Sequence, residues 1–115
     1  MEATVDEQRL DALFTALSDR TRRDIIVRLS AGDATVKELA ERYAMSMQAV
    51  SQHLQVLERS GLISRGRHRQ TRPCRLEPGT LTVAASWIEA SRRTWTERMD
   101  RLETHLGRLQ DGERR

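Results

Sequence analysis

The chain has 115 residues, with 20 basic and 17 acidic side chains, a formal net charge of +3 and a single cysteine, Cys74. That length suits one domain that buries roughly two-thirds of its unfolded surface, and one cysteine excludes an internal disulfide framework. No apolar run approaches the ~20 residues of a membrane span, and the acidic opening MEATVDEQRL is no secretory signal, so a cytoplasmic protein without membrane attachment is expected. Lys37 is the only lysine. The other cations are arginines, whose planar forks grip phosphates and guanine edges.

Leu10, Leu13, Phe14 and Leu17 recur at helical spacing and predict a first amphipathic helix. Asp19 is suited to cap a second helix, which turns Ile25, Ile26 and Leu29 inward and stops at Gly32. Thr35 and Glu38 have the spacing of a capping box and open a short third helix with Val36, Leu39, Ala40 and Tyr43 inward. Ser46 caps a fourth helix that Gly61 ends. Only Ala44 and Met45 separate helices three and four, which makes them a helix-turn-helix over residues 35–61.

From Leu62 the period changes. Residues 62–67 and 71–76 predict two strands around His68, Arg69 and Gln70, a basic hairpin or wing over residues 62–77. Pro73 cannot donate to a ladder and predicts an edge at that point. Pro78 and Gly79 end the hairpin. A last helix over residues 81–109 follows, with Ala84, Ile88, Ser91, Trp95, Met99, Leu102, Leu106 and Leu109 in a stripe about 80° wide. Residues 111–115 are expected to be a frayed polar tail. The expected fold is therefore mainly α with a small β-hairpin, a single winged helix-turn-helix domain over residues 1–110.

The fourth helix carries the functional signal. With Val50 as the reference, Leu54 and Leu57 fall within about 40°, while Gln48, Gln52, Gln55 and Arg59 fall near the opposite pole. No acid occurs from Ser46 to Leu57, unlike the mixed Glu and Lys of an ordinary solvated face. Glutamine amides present a donor and an acceptor that match adenine in the major groove. Ser46 and Ser51 can reach phosphates near the helix start. His53 lies at the border of the apolar face, where packing at the core edge and contact with a phosphate are both open. In the wing, Arg65, Arg67, His68, Arg69 and Arg72 form a basic run with the tip suited to a minor groove, and each phosphate they neutralise steepens the salt dependence. The alternative for such a run is a charged edge strand that resists aggregation. The narrow stripe at Ile88, Trp95, Met99, Leu102, Leu106 and Leu109 exceeds what so small a domain can cover. Paired with Leu10, Leu13, Phe14 and Leu17, it predicts a homodimer and, by two-fold symmetry, a pseudo-palindromic target.

The segments Ala16-Leu17-Ser18-Asp19-Arg20-Thr21-Arg22-Arg23, Val36-Lys37-Glu38-Leu39-Ala40, Ala49-Val50-Ser51-Gln52-His53-Leu54-Gln55-Val56-Leu57 and Ser60-Gly61-Leu62-Ile63 occur in the order and spacing of the ArsR-type winged-helix repressors. The chain resembles that family from about Leu10 to Leu76, with the long last helix also in place. The resemblance implies a homodimer joined through first and last helices, the Ser46–Arg59 helix in the major groove and the hairpin beside the minor groove or backbone. Trp87, Trp95 and the Arg92-Arg93 pair resemble the metal-independent autorepressor branch.

Metal-sensing relatives use paired cysteines where this chain has Thr35 and Lys37, or histidines and carboxylates on the last helix, where it has His105 with Asp100 and Glu103. Zinc generally needs about four ligands, so no metal and no cofactor are expected. No phosphate-binding glycine loop or nucleophile with a base occurs, so no catalytic residue and no enzyme are expected. Arg72 and Arg75 would favour a thiolate at Cys74, which leaves a redox switch as an alternative. The expectation is a sequence-specific, double-stranded-DNA-binding repressor that occludes its operator and autoregulates. The alternatives are a metal- or thiol-responsive member, or a helical interaction protein that binds no DNA.

Overall fold

A computed structural model describes residues 7–66 and 72–113. Its elements are α1 (Glu7–Ala16), α2 (Arg20–Leu29), α3 (Val36–Tyr43), α4 (Met47–Arg59), β1 (Ile63–Arg65), β2 (Cys74–Leu76) and α5 (Pro78–Glu113). Contacts divide the chain into two units, Met1–Ala84 and Ala85–Arg115.

In the first unit, the starts of α2, α3 and α4 are each set by a local hydrogen bond. Asp19 Oδ2 accepts from the Arg22 N–H at 3.0 Å. The capping box at α3 is complete: Thr35 Oγ1 accepts from the Glu38 N–H, and Glu38 Oε1 accepts from the Thr35 N–H. Ser46 Oγ accepts from the Ala49 N–H. Each satisfies a first-turn donor that the helix cannot pair itself. The ends of α3 and α4 use left-handed residues. After α4, Gly61 (φ 83) lets its N–H reach the Glu58 carbonyl and the Leu62 N–H reach the Leu57 carbonyl, the paired bonds of a Schellman closure. After α3 the same pair forms from Ala44 to Glu41 and from Met45 to Ala40, although Ala44 (φ 53) has a Cβ to strain there.

The core is built where the amphipathic faces meet. Leu13, Ile25, Leu39, Val50, Leu54, Leu57, Leu62 and Cys74 are fully buried, and Ala84 belongs to the same cluster. Burying each Leu, Ile or Val contributes roughly 1.5–3 kcal/mol. Two expectations change here. Leu13 belongs to this core and Leu10 is also buried, so neither is spare surface for a second copy; Phe14 and Leu17 are half-buried. Ala84, counted in the long stripe, lies in the core too.

The hairpin is shorter than the alternation predicts. The strands pair antiparallel, with Ile63 opposite Leu76, Ser64 opposite Arg75 and Arg65 opposite Cys74. Beyond them Gly66 donates to the Pro73 carbonyl at 2.7 Å. Pro73 therefore stands outside the ladder, as its missing N–H requires. On its other side Cys74 exchanges two hydrogen bonds with Ala34, so the loop before α3 covers the strand edge that the proline pattern left open. The wing tip, including Arg67, His68 and Arg69, lies outside the described residues.

The second unit is the rest of α5. The helix starts at Pro78, three residues before the apolar pattern begins, because proline suits a first helical turn. It continues past Leu109 to Glu113, so residues 111–113 of the expected tail are helical. Every described side chain from Ala85 to Gly112 except Gly107 is exposed, including Trp95 at 65% and Ile88 and Leu109 at 52% each.

Candidate nucleic-acid interface

Helix α4 presents two faces. Val50, Leu54 and Leu57 are fully buried, which fixes the rotation of the helix on the core. That rotation leaves Gln48, Gln52, Gln55 and Arg59 exposed together, with Ser46 exposed and Ser51 half-buried beside them. The acceptor lone pair of Ser46 is engaged by the Ala49 N–H, while its hydroxyl proton stays available to an anion. This face offers amide donor–acceptor pairs, one guanidinium and a helix start, where backbone N–H groups favour negative charge.

His53 leaves that face. Its Nδ1 stands 3.7 Å from Asp19 Oδ2 and 3.4 Å from the Arg22 NH1 group. Arg22 in turn donates from Nε to the Ala16 carbonyl at 2.7 Å and from its other terminal nitrogen to the Thr15 carbonyl. One guanidinium thus closes the end of α1 and meets the histidine of α4, while Asp19 caps α2. Of the two readings left open for His53, the geometry is that of the core edge. The Arg22 N–H holds the Asp19 carboxyl below the usual carboxylate range; burial, the next largest effect, opposes it, and the neighbouring His53 and Arg22 side chains add to the lowering.

In the hairpin, Arg65 Nε donates to the Arg72 carbonyl at 3.3 Å, and Arg72 is exposed. Arg75 is turned to Asp33 in a 3.3 Å ion pair. Ser64 donates to Glu77 Oε2 at 2.7 Å. The basic run is therefore not uniform: Arg72 is exposed, whereas the loop before α3 meets the charge of Arg75.

Cys74 changes most. It is fully buried between the hairpin and Ala34. Burial pushes its thiol up, and the nearby Arg65 and Arg72 only partly oppose this. The redox switch left as an alternative relied on arginines favouring the thiolate; at a fully buried position their attraction does not offset the lost hydration. Among the described residues no group of three His, Cys, Asp or Glu is placed to hold a metal ion. Thr35 is occupied by the capping box.

Sequence reasoning missed Met47. It is 54% exposed on the first turn of α4, although the wheel puts it about 60° from Val50, on the flank of the apolar face. It also missed the Asp19–Arg22–His53 cluster and the Asp33–Arg75 pair, whose members are 31 and 42 residues apart in sequence.

A short helix, a tight turn, a second helix with an amide face and a two-stranded hairpin together define a winged helix-turn-helix protein. A helix-turn-helix domain family matches residues 17–65. The transcriptional repressor SdpR of Bacillus subtilis (strain 168) is 33% identical over 79 residues, covering 69% of this chain and 88% of that protein. The HTH-type transcriptional regulator Rv2034 of Mycobacterium tuberculosis is 37% identical over 86 residues, covering 75% and 78%. The crystal structure of the ArsR family transcriptional regulator RHA00566 superposes with a TM-score of 0.71 at 35% identity, over 76% of this chain and 97% of that one. This chain belongs to the ArsR family of winged helix-turn-helix transcriptional regulators.

Proposed function

We propose that the chain is a homodimeric, sequence-specific DNA-binding repressor that occludes a pseudo-palindromic operator, autoregulates in the cytoplasm, and needs no metal or cofactor. The observation that carries this reading is the exposed set Gln48, Gln52, Gln55 and Arg59, held outward by a fully buried opposite face. Glutamines read base edges. Ser46, Ser51, Arg59, Arg65 and Arg72, with Arg67, His68 and Arg69 of the tip, hold phosphates and set the register. Helix α4 is the groove reader, and His53 supports it from behind.

The dimer rests on the exposed stripe of α5. Ile88, Trp95, Met99, Leu102, Leu106 and Leu109 are all exposed within one chain. A second copy covers them, with Phe14 of α1 and Leu17 just after it contributing. Two-fold symmetry then sets two α4 helices about one DNA turn apart. Replacing Trp95 and Leu102 together by Ala gives a monomer at micromolar concentration by light scattering; a wild-type chain already monomeric there refutes the interface.

The decisive experiment is a footprint and gel shift on the DNA upstream of the chain's own gene. Two protected half-sites are expected. Gln52→Ala weakens the cognate duplex by roughly 5- to 150-fold, the ~1–3 kcal/mol of one bidentate base contact, and leaves random duplex unchanged. Arg67→Ala with Arg69→Ala weakens all duplexes and flattens the log–log salt slope by roughly 0.9 per phosphate lost. Absence of upstream protection overturns autorepression, and absence of salt-dependent affinity for any duplex overturns DNA binding.

A further inference from the structure

Met47 is more than half exposed on the first turn of α4. Within Met1–Ala84, Val27 and Met47 are the two large hydrophobic side chains exposed among the described residues, and Val27 lies in the second half of α2. Met45, two residues earlier, packs against the core, so the turn between α3 and α4 sends one methionine inward and leaves the next free. Met47 is the first residue of α4, between the exposed Ser46 and the exposed Gln48. An apolar, polarisable side chain on the leading turn of a groove-reading helix adds nothing to phosphate binding, because a thioether has no hydrogen to donate to a phosphate oxygen.

We infer that Met47 is a specificity-determining residue that packs against the 5-methyl group of a thymine in the major groove. This rests on the proposal that α4 reads DNA. Of the four bases, only thymine presents a methyl group there. Gln48, about 100° around the helix from Met47, supplies hydrogen bonds to a neighbouring base, so one turn combines an apolar and a polar reader. The unbranched side chain of methionine adapts to the methyl without a fixed hydrogen-bond geometry. The expected preference is a thymine at one symmetric position in each half-site, next to the base pair met by Gln48.

The test uses the full chain to select duplexes from a random library, then replaces each thymine of the enriched site by deoxyuridine, which lacks only the 5-methyl group. One symmetric thymine should be sensitive. Its loss weakens the wild type by about fourfold per half-site, the transfer value of one buried methyl. Met47→Ala should bind both duplexes equally, at the weakened level, whereas Met47→Leu should retain the discrimination. The deoxyuridine comparison is made on the DNA and does not depend on a variant that folds. No sensitive thymine, or equal sensitivity in wild type and Met47→Ala, overturns the assignment while leaving DNA reading intact. Failure of any sequence to enrich overturns both.

Discussion

Removing the carboxylate of Asp19 tests how α2 is held to the groove-reading helix. Asp19 does two things: it accepts the Arg22 N–H at 3.0 Å, and it stands 3.7 Å from His53 Nδ1. The cap contributes about 1 kcal/mol. The contact with His53 adds little, because the Asp19 and His53 side chains are 37% and 22% exposed and solvent screens them. Asp19→Ala should therefore cost about 1–1.5 kcal/mol, roughly 4–8 °C in Tm for a chain of this size. Asp19→Asn keeps a capping oxygen and loses the charge, so it should fall between the alanine variant and the wild type. The sign with pH follows from the depressed carboxyl. Its contribution is present above the ordinary aspartate pKa of about 3.9 and is lost as pH falls through the lower folded value. The gap between wild type and Asp19→Ala is then constant from pH 7 to about 5 and narrows below about 4. Thermal melts at one protein concentration, since dimerisation shifts Tm by mass action, measure that gap. An alanine variant as stable as wild type at pH 7, or a gap undiminished at pH 3, refutes the reasoning.

The two left-handed helix ends predict opposite effects. Ala44→Gly relieves a strained φ and should raise stability by up to about 1 kcal/mol, whereas Gly61→Ala puts a Cβ on a φ of 83 and should cost about 1–2 kcal/mol; denaturant melts that order them the other way refute the assignment. Burial raises the Cys74 thiol, so native protein at pH 8 should react with iodoacetamide far more slowly than urea-unfolded protein. Equal labelling rates would revive the thiol switch.

The features set within a few residues were legible in the sequence. Asp19, Thr35 with Glu38, and Ser46 are caps by residue type and spacing, and each forms the predicted bond. The glutamine face of α4 follows from Val50, Leu54 and Leu57 lying at one pole, and those three are buried. Helix periodicity and capping are local, so sequence alone determines them. The remainder depends on which distant segments meet. His53 goes to Asp19 and Arg22, Arg75 goes to Asp33, and Cys74 is sealed by Ala34; in each case the partner comes from another part of the chain, and nothing in the local pattern selects it. Periodicity also assigns apolar faces without saying what covers them. Leu10 and Leu13 read as seam residues by spacing and are buried within one chain, while Met47 sits on the apolar flank of its helix and stays exposed. Sequence determined the elements and their polar faces; only the tertiary structure decided which polar groups neutralise one another and which remain free to meet DNA, because desolvation and pairing depend on three-dimensional proximity.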